Sequence, residues 1–118
     1  MMLVTKIFSF DAAHNLTDYY GKCEHLHGHT YTLEVTMKGD VQSNGLVIDF
    51  VLLKRIVKDK ILEKLDHTYL NDLLENPSAE RIASWIWDEL EKHKFDDEVK
   101  LHEIVLWETP TSKVVYNG

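Results

Sequence analysis

Cysteine is nearly missing from this chain of 118 residues, where Cys23 stands alone. One thiol cannot close an internal disulfide, so the expected setting is a reducing compartment, the cytoplasm. Proline is almost as scarce, with two isolated residues, and no repeat, low-complexity tract or linker interrupts the chain. Basic residues are outnumbered, 13 Lys and Arg against 20 Asp and Glu, for a formal charge of -7. That balance argues against nucleic acid as a partner, because non-specific binding needs a basic surface. No apolar run reaches the roughly 18 residues of a membrane span. The start, MMLVTKIFSFDAAH, has neither a charged leader nor a small-residue cleavage site, so neither a membrane partner nor a signal peptide is expected. What the chain does have is an apolar fraction of 44%, enough for a core in one domain covering residues 1–118. A domain this small leaves much surface exposed, which favours self-association.

Two periods organise the chain. From Leu3 to His14 the residues alternate, with Val4, Phe8, Phe10 and Ala12 on one face, and Thr5, Ser9 and Asp11 with Ile7 on the other. From His27 to Lys38, Tyr31, Leu33, Val35 and Met37 oppose Thr30, Thr32, Glu34 and Thr36. Period two predicts strands, half-buried in the second case. After a turn rich in Gly, Asp, Ser and Asn, the step becomes three and four. Asp49 is placed to cap a helix whose stripe is Phe50, Leu53, Ile56, Val57, Ile61 and Leu65. A second helix is predicted from Pro77-Ser78, capped by Asn76 or Ser78, with Ala79, Ile82, Ala83, Ile86 and Leu90 inward. Leu101–Glu108 and Lys113–Tyr116 read as closing strands. The order ββααββ predicts an α+β domain, an antiparallel sheet with two helices on one face.

The chemistry gathers at the strand ends. His27 and His29 share the inward parity of Tyr31, and His14 shares that of Phe10 and Ala12. If the first two strands pair as a hairpin, three imidazoles converge. Three neutral imidazoles suit Zn2+, and three protein ligands leave a fourth position for water or substrate. The competing reading is three core histidines satisfied by hydrogen bonds. Cys23 as a fourth ligand, closing the site, is a further alternative. Gly28, between the two histidines, leaves room for close approach to the backbone.

Cys23 lies in a polar loop beside Lys22, where nearby positive charge would favour the thiolate; the other reading is an inert packed thiol. Asp66-His67, at the end of the first helix, has the makings of an acid-base pair, although such dipeptides also simply end helices. Glu108 has the inward parity of Ile104 and Leu106. A buried carboxylate needs partners, so it either meets protein donors or awaits a ligand with adjacent N–H groups.

Six segments in order then resemble the 6-pyruvoyl-tetrahydropterin synthase and 6-carboxytetrahydropterin synthase family. They are Phe10-Asp11-Ala12-Ala13-His14, C-x-x-x-H-G-H from Cys23 to His29, and Gly45 to Phe50 (GLVIDF). The others are Leu65 to Asn71 (LDHTYLN), Asn76 to Glu80 (NPSAE), and Trp107-Glu108-Thr109. The resemblance covers nearly the whole chain. It implies the tunnelling fold, whose subunits join their sheets into a barrel, usually as a homohexamer of two trimers with sites at subunit interfaces. It implies zinc on His14, His27 and His29. It implies catalysis by Cys23 and by the Asp66-His67 pair, with Glu108 and Thr109 at the pterin ring.

The implied reaction converts 7,8-dihydroneopterin triphosphate to 6-carboxy-5,6,7,8-tetrahydropterin, for 7-deazaguanine and queuosine synthesis. The cysteine spacing resembles that of the carboxy-forming branch. Glu24, directly after Cys23, departs from that pattern. A third branch uses a glutamate there to form 6-hydroxymethyl-7,8-dihydropterin for folate, and a dual activity is therefore an alternative, as is the pyruvoyl-forming reaction. A non-catalytic oligomeric scaffold stabilised by zinc is the alternative of another class, and the retention of Cys23, Asp66, His67 and Glu108 speaks against it.

Overall fold

The computed structural model describes residues 1–17 and 25–118. Strands β1 (Met2–His14) and β2 (His27–Gly39) form the expected hairpin, antiparallel from Met2 opposite Gly39 to His14 opposite His27. β4 (Val99–Thr109) pairs antiparallel with β2, and β5 (Ser112–Tyr116) with β4. A strand the alternation does not announce, β3 (Thr68–Tyr69), runs parallel to β1 at Ala12 and Ala13. The sheet order is β3-β1-β2-β4-β5. Two residues are too few to show a period, so β3 is visible only through its partner.

One face of the sheet carries the core. Phe8, Phe10 and Ala12 of β1, and Tyr31, Leu33, Val35 and Met37 of β2, are buried as their parity requires. β4 begins two residues before the expected Leu101 and buries both Leu101 and Ile104, which a regular strand would send to opposite faces. A bulge resolves this. Thr36 faces Glu103 while Met37 faces Leu101, so His102 is the extra residue and the parity switches across it. The switch brings Leu106 and Glu108 onto the core face.

The helices pack on that face. Asp49 caps α1 (Phe50–Val57), its carboxylate accepting the Val51 amide at 2.9 Å. α1 passes into a π-helical turn (Lys58–Leu62) and then α2 (Glu63–Leu65), so the one expected helix carries an irregular middle. Leu53, Ile56, Val57, Ile61 and Leu65 are buried. Phe50 is not: it stands 47% exposed beside Val51 and Leu52, and the core at this end is filled by Val47 and Leu53. A 3-10 turn (Leu70–Asp72) follows β3. α3 (Ala79–Glu91) starts at Ser78, whose hydroxyl accepts the Arg81 amide at 3.2 Å; of the two candidate caps, Asn76 instead makes a left-handed turn with φ 48°. Glu89 of α3 ties the helices together, meeting Lys64 at 3.3 Å and Lys92 at 2.8 Å. Gly39 ends β2 where a side chain has no room: a Cβ there would lie 2.6 Å from the Glu98 carbonyl oxygen. No helix among the described residues is long and apolar enough to cross a membrane.

Candidate metal centre

The β1–β2 register sets His14 directly opposite His27, and Ala12 opposite His29. All three rings lie on the core face at the end of the hairpin where β1 leaves for the connection to β2. His14 Nε2 and His27 Nε2 are 3.1 Å apart. A fourth group arrives from β4: Glu108 Oε1 lies 3.0 Å from His29 Nε2 and 3.4 Å from His14 Nε2. One ligand atom from each of His14, His27, His29 and Glu108 falls within 4.8 Å of the others.

Proton bookkeeping tests whether a cation fits. His14 Nδ1 lies 2.7 Å from the Pro77 carbonyl oxygen, and His27 Nδ1 lies 2.8 Å from that of His25. A carbonyl oxygen only accepts, so both Nδ1 atoms carry the proton and neutral rings present bare Nε2 lone pairs. Two such lone pairs face each other beside a carboxylate oxygen. That arrangement is repulsive unless positive charge lies among them. The 3.1 Å between His14 Nε2 and His27 Nε2 is close to the edge of about 3.3 Å expected for a tetrahedron with bonds near 2.0–2.1 Å. The donor set of imidazole nitrogens suits zinc, and Glu108 Oε1 borders it at 3.0 and 3.4 Å. The Nδ1–H bonds to carbonyls are the outer hydrogen bonds that orient metal-binding histidines.

The turn before α3 serves this centre. Asn76 Oδ1 accepts the Thr17 amide at 2.7 Å, the Pro77 carbonyl holds His14, and Ser78 caps the helix. Asn15 and Asn71 exchange amide and backbone hydrogen bonds at 3.0 and 2.8 Å, and the Tyr69 hydroxyl donates to Asn15 Oδ1 at 2.6 Å. Residues following His14 are thus fastened to the segment 69–76.

Asp66 and His67 form a separate group. Asp66 Oδ2 lies 3.0 Å from His67 Nδ1, and Asp66 Oδ1 accepts the Asp11 amide at 2.9 Å. The Asp11 amide, above all, and the His67 ring hold the Asp66 carboxyl below its ordinary value, against a smaller opposing effect of burial. His67 has φ 57°, a left-handed conformation uncommon outside glycine. The pair stands at the β1 edge. A shallow cavity of about 580 Å³ is bordered by both His67 and His29. On the other side of His29, a cavity of about 610 Å³ is lined by Trp107, Glu108, Thr109 and Thr32. Gly28 borders both. Cys23 and Glu24 lie outside the described residues.

The geometry therefore brings His14, His27 and His29 together as parity suggests, and adds Glu108 to them. The sequence does hold a signal for that addition, the inward parity of Glu108 itself. Nothing in the sequence marks the Pro77 carbonyl as the partner of His14, because a backbone atom has no residue code. Asp11 likewise goes unnoticed, since its partner on β1's edge is a helix end 55 residues later.

Comparison with known proteins places the chain in a family. The family model described as 6-pyruvoyl tetrahydropterin synthase matches residues 3–118. A 6-carboxy-5,6,7,8-tetrahydropterin synthase of Haemophilus influenzae is 39% identical, over 98% of this chain and 99% of that one. A dihydroneopterin monophosphate aldolase of Pyrococcus furiosus is 44% identical, over 85% of this chain and 83% of that one. The structure of Caenorhabditis elegans 6-pyruvoyl tetrahydropterin synthase superposes with a TM-score of 0.86 at 27% identity, covering 99% of this chain and 95% of that one. With this fold, and with these matches over nearly its whole length, the chain belongs to the 6-pyruvoyl tetrahydropterin synthase family.

Proposed function

We propose that this chain, one tunnelling-fold domain over residues 1–118, is a zinc-dependent 6-carboxy-5,6,7,8-tetrahydropterin synthase. It takes 7,8-dihydroneopterin triphosphate and water to 6-carboxytetrahydropterin, acetaldehyde and triphosphate. The observation that carries the reading is the meeting of His14, His27 and His29 with their Nε2 atoms turned to one point. The similarity to carboxy-forming relatives supports the choice of product.

His14, His27 and His29 would hold the zinc, which when bound would supply Lewis acidity toward the substrate's side-chain hydroxyls and so acidify the neighbouring C–H and O–H bonds. Cys23 takes a proton from the side chain as thiolate. His67, oriented by Asp66, returns one on the other side. Glu108 and Thr109 border the larger cavity and receive the pterin ring by its N–H groups. Glu108 stands between the histidines and that cavity, so it couples ring binding to the metal site.

Self-association into a homohexamer completes the site. Within one chain, Asp66-His67 forms its own cluster apart from the histidines. Along Met2–Phe10, β1 has no strand on its outer edge among the described residues, because β3 pairs only with Ala12 and Ala13. An open edge of that length supports sheet continuation into another copy.

A second reading has an observation of its own. Glu24 follows Cys23, and the Pyrococcus furiosus relative is named an aldolase. On that reading the product is 6-hydroxymethyl-7,8-dihydropterin. Incubation of the zinc-loaded protein with 7,8-dihydroneopterin triphosphate, with product identification by mass spectrometry, separates the two. Cys23→Ala is expected to abolish the carboxy product, and Glu24→Ala to spare it while removing any hydroxymethyl product. Full carboxy formation by Cys23→Ala would overturn the assigned base.

A further inference from the structure

Asp11 has no part in the chemistry above, yet two contacts join it to groups that do, and a third joins it to the neighbouring strand. Its amide donates to Asp66 Oδ1 at 2.9 Å, and its carbonyl accepts the His67 amide at 2.6 Å. Its side chain faces Thr30 directly across the β1–β2 ladder, and the Thr30 hydroxyl donates to Asp11 Oδ1 at 2.5 Å. Ligand atoms of Asp11, Asp66 and His67 lie within 4.8 Å of one another. Asp11, Thr30 and His67 border the same shallow cavity as His29.

His67 needs such a hold. It sits in a sparsely populated backbone region, just past the end of a helix, with its ring mostly exposed. Left to itself the segment would relax and the imidazole would turn. The two backbone bonds from Asp11 act only if β1 stays in place at its edge, where β3 adds no more than two paired residues.

We propose that Asp11 is the positioning residue of the Asp66-His67 pair, with its side chain locked to Thr30 so that His67 keeps Nδ1 on Asp66 and turns Nε2 to the cavity. The proposal rests on the reading of His67 as the proton donor. The clamp is a hydrogen bond to an acceptor, not a charge effect. An Asn at the same place offers the same acceptor.

The test uses the zinc-loaded protein with 7,8-dihydroneopterin triphosphate. Asp11→Ala is expected to lower kcat on the order of 10- to 100-fold, the usual cost of losing an outer orienting contact, with KM and zinc content at wild-type values. Asp11→Asn is expected to recover most of the loss, and Thr30→Val to reproduce part of it. In parallel, long-range ¹H–¹⁵N spectra in alkaline buffer report the imidazole tautomers, with His67 assigned by its disappearance in His67→Gln. Wild type and Asp11→Asn should show His67 protonated on Nδ1, and Asp11→Ala a mixture. Unchanged kcat with an unchanged tautomer in Asp11→Ala would overturn the proposal, as would a loss in Asp11→Asn equal to that in Asp11→Ala. If Asp11→Ala does not fold, Thr30→Val decides, and a wild-type kcat and tautomer there count against the clamp. Should His67→Gln turn over normally, the proton-donor reading fails, while the tautomer comparison still decides what Asp11 does.

Discussion

At His14 the ring is fixed from both ends. The Pro77 carbonyl accepts the hydrogen bond from Nδ1–H, and Nε2 faces the site. The side chain is 1% exposed, so its removal has two separable effects. His14→Ala should lose zinc binding outright. It should also weaken the metal-free protein by about 1–3 kcal/mol, because a buried carbonyl is left unmatched. His29→Ala should lose zinc with less effect on the metal-free fold, since its side chain is 18% exposed. Metal analysis and urea unfolding with chelator present check the two halves. Asp66 gives a pH signature. Its folded carboxyl titrates below the ordinary 3.8. Its contribution is therefore complete above the unfolded value and disappears as pH falls through the lower, folded one. Below that ordinary value, Asp66→Asn should lose stability more gradually with acid than wild type does. Identical slopes would show that the Asp11 amide contributes nothing there. The side chain is 40% exposed, so the difference will be modest.

The first helix shows how far elements could be read from sequence. Its cap, its stripe apart from the exposed Phe50, and its end at Asp66 follow from residue types and spacing. The π-helical turn was also written there. From Val57 to Ile61 to Leu65 the inward step is four residues twice. At about 100° per residue each such step overshoots by about 40°, so an unbroken α-helix would carry Leu65 off the core. The extra residue is absorbed between Lys58 and Leu62. Deletion of the exposed Asp59 should therefore be tolerated. It restores a regular helix with Ile61 and Leu65 still inward, and circular dichroism with thermal melting should show a Tm within a few degrees of wild type. A collapse of Tm would mean the π turn is needed in its own right. The strands were legible where alternation was long, and β3 was not, for want of length. The bulge at His102 could have been inferred, since Leu101 and Ile104 both ask for the core. What sequence could not show was pairing through backbone atoms: Pro77 to His14, and Asp11 to Asp66.

For the whole molecule, the proposed assembly makes a claim about who owns a site. If sites form between copies, a chain lacking His67 and a chain lacking His29 fail for different reasons. His67→Gln and His29→Ala proteins, each inactive alone, should regain part of the activity when unfolded together and refolded as a mixture. Mixing without refolding should give none if the copies do not exchange. No recovery in the refolded mixture would place both groups of a working site on one chain. Light scattering should give six times the 13.8 kDa of the chain.

The turn Asn76-Pro77-Ser78 has a kinetic consequence. It caps α3, fastens Thr17 and orients His14 at once. On the proposed zinc site, opening of that turn would free the His14 ring that Pro77 holds and so speed release of the ion. The rate of zinc exchange with a chelator becomes a clock for local opening. It should accelerate in Ser78→Ala or Asn76→Ala by about the factor by which the turn is loosened, and the histidines themselves would be unchanged.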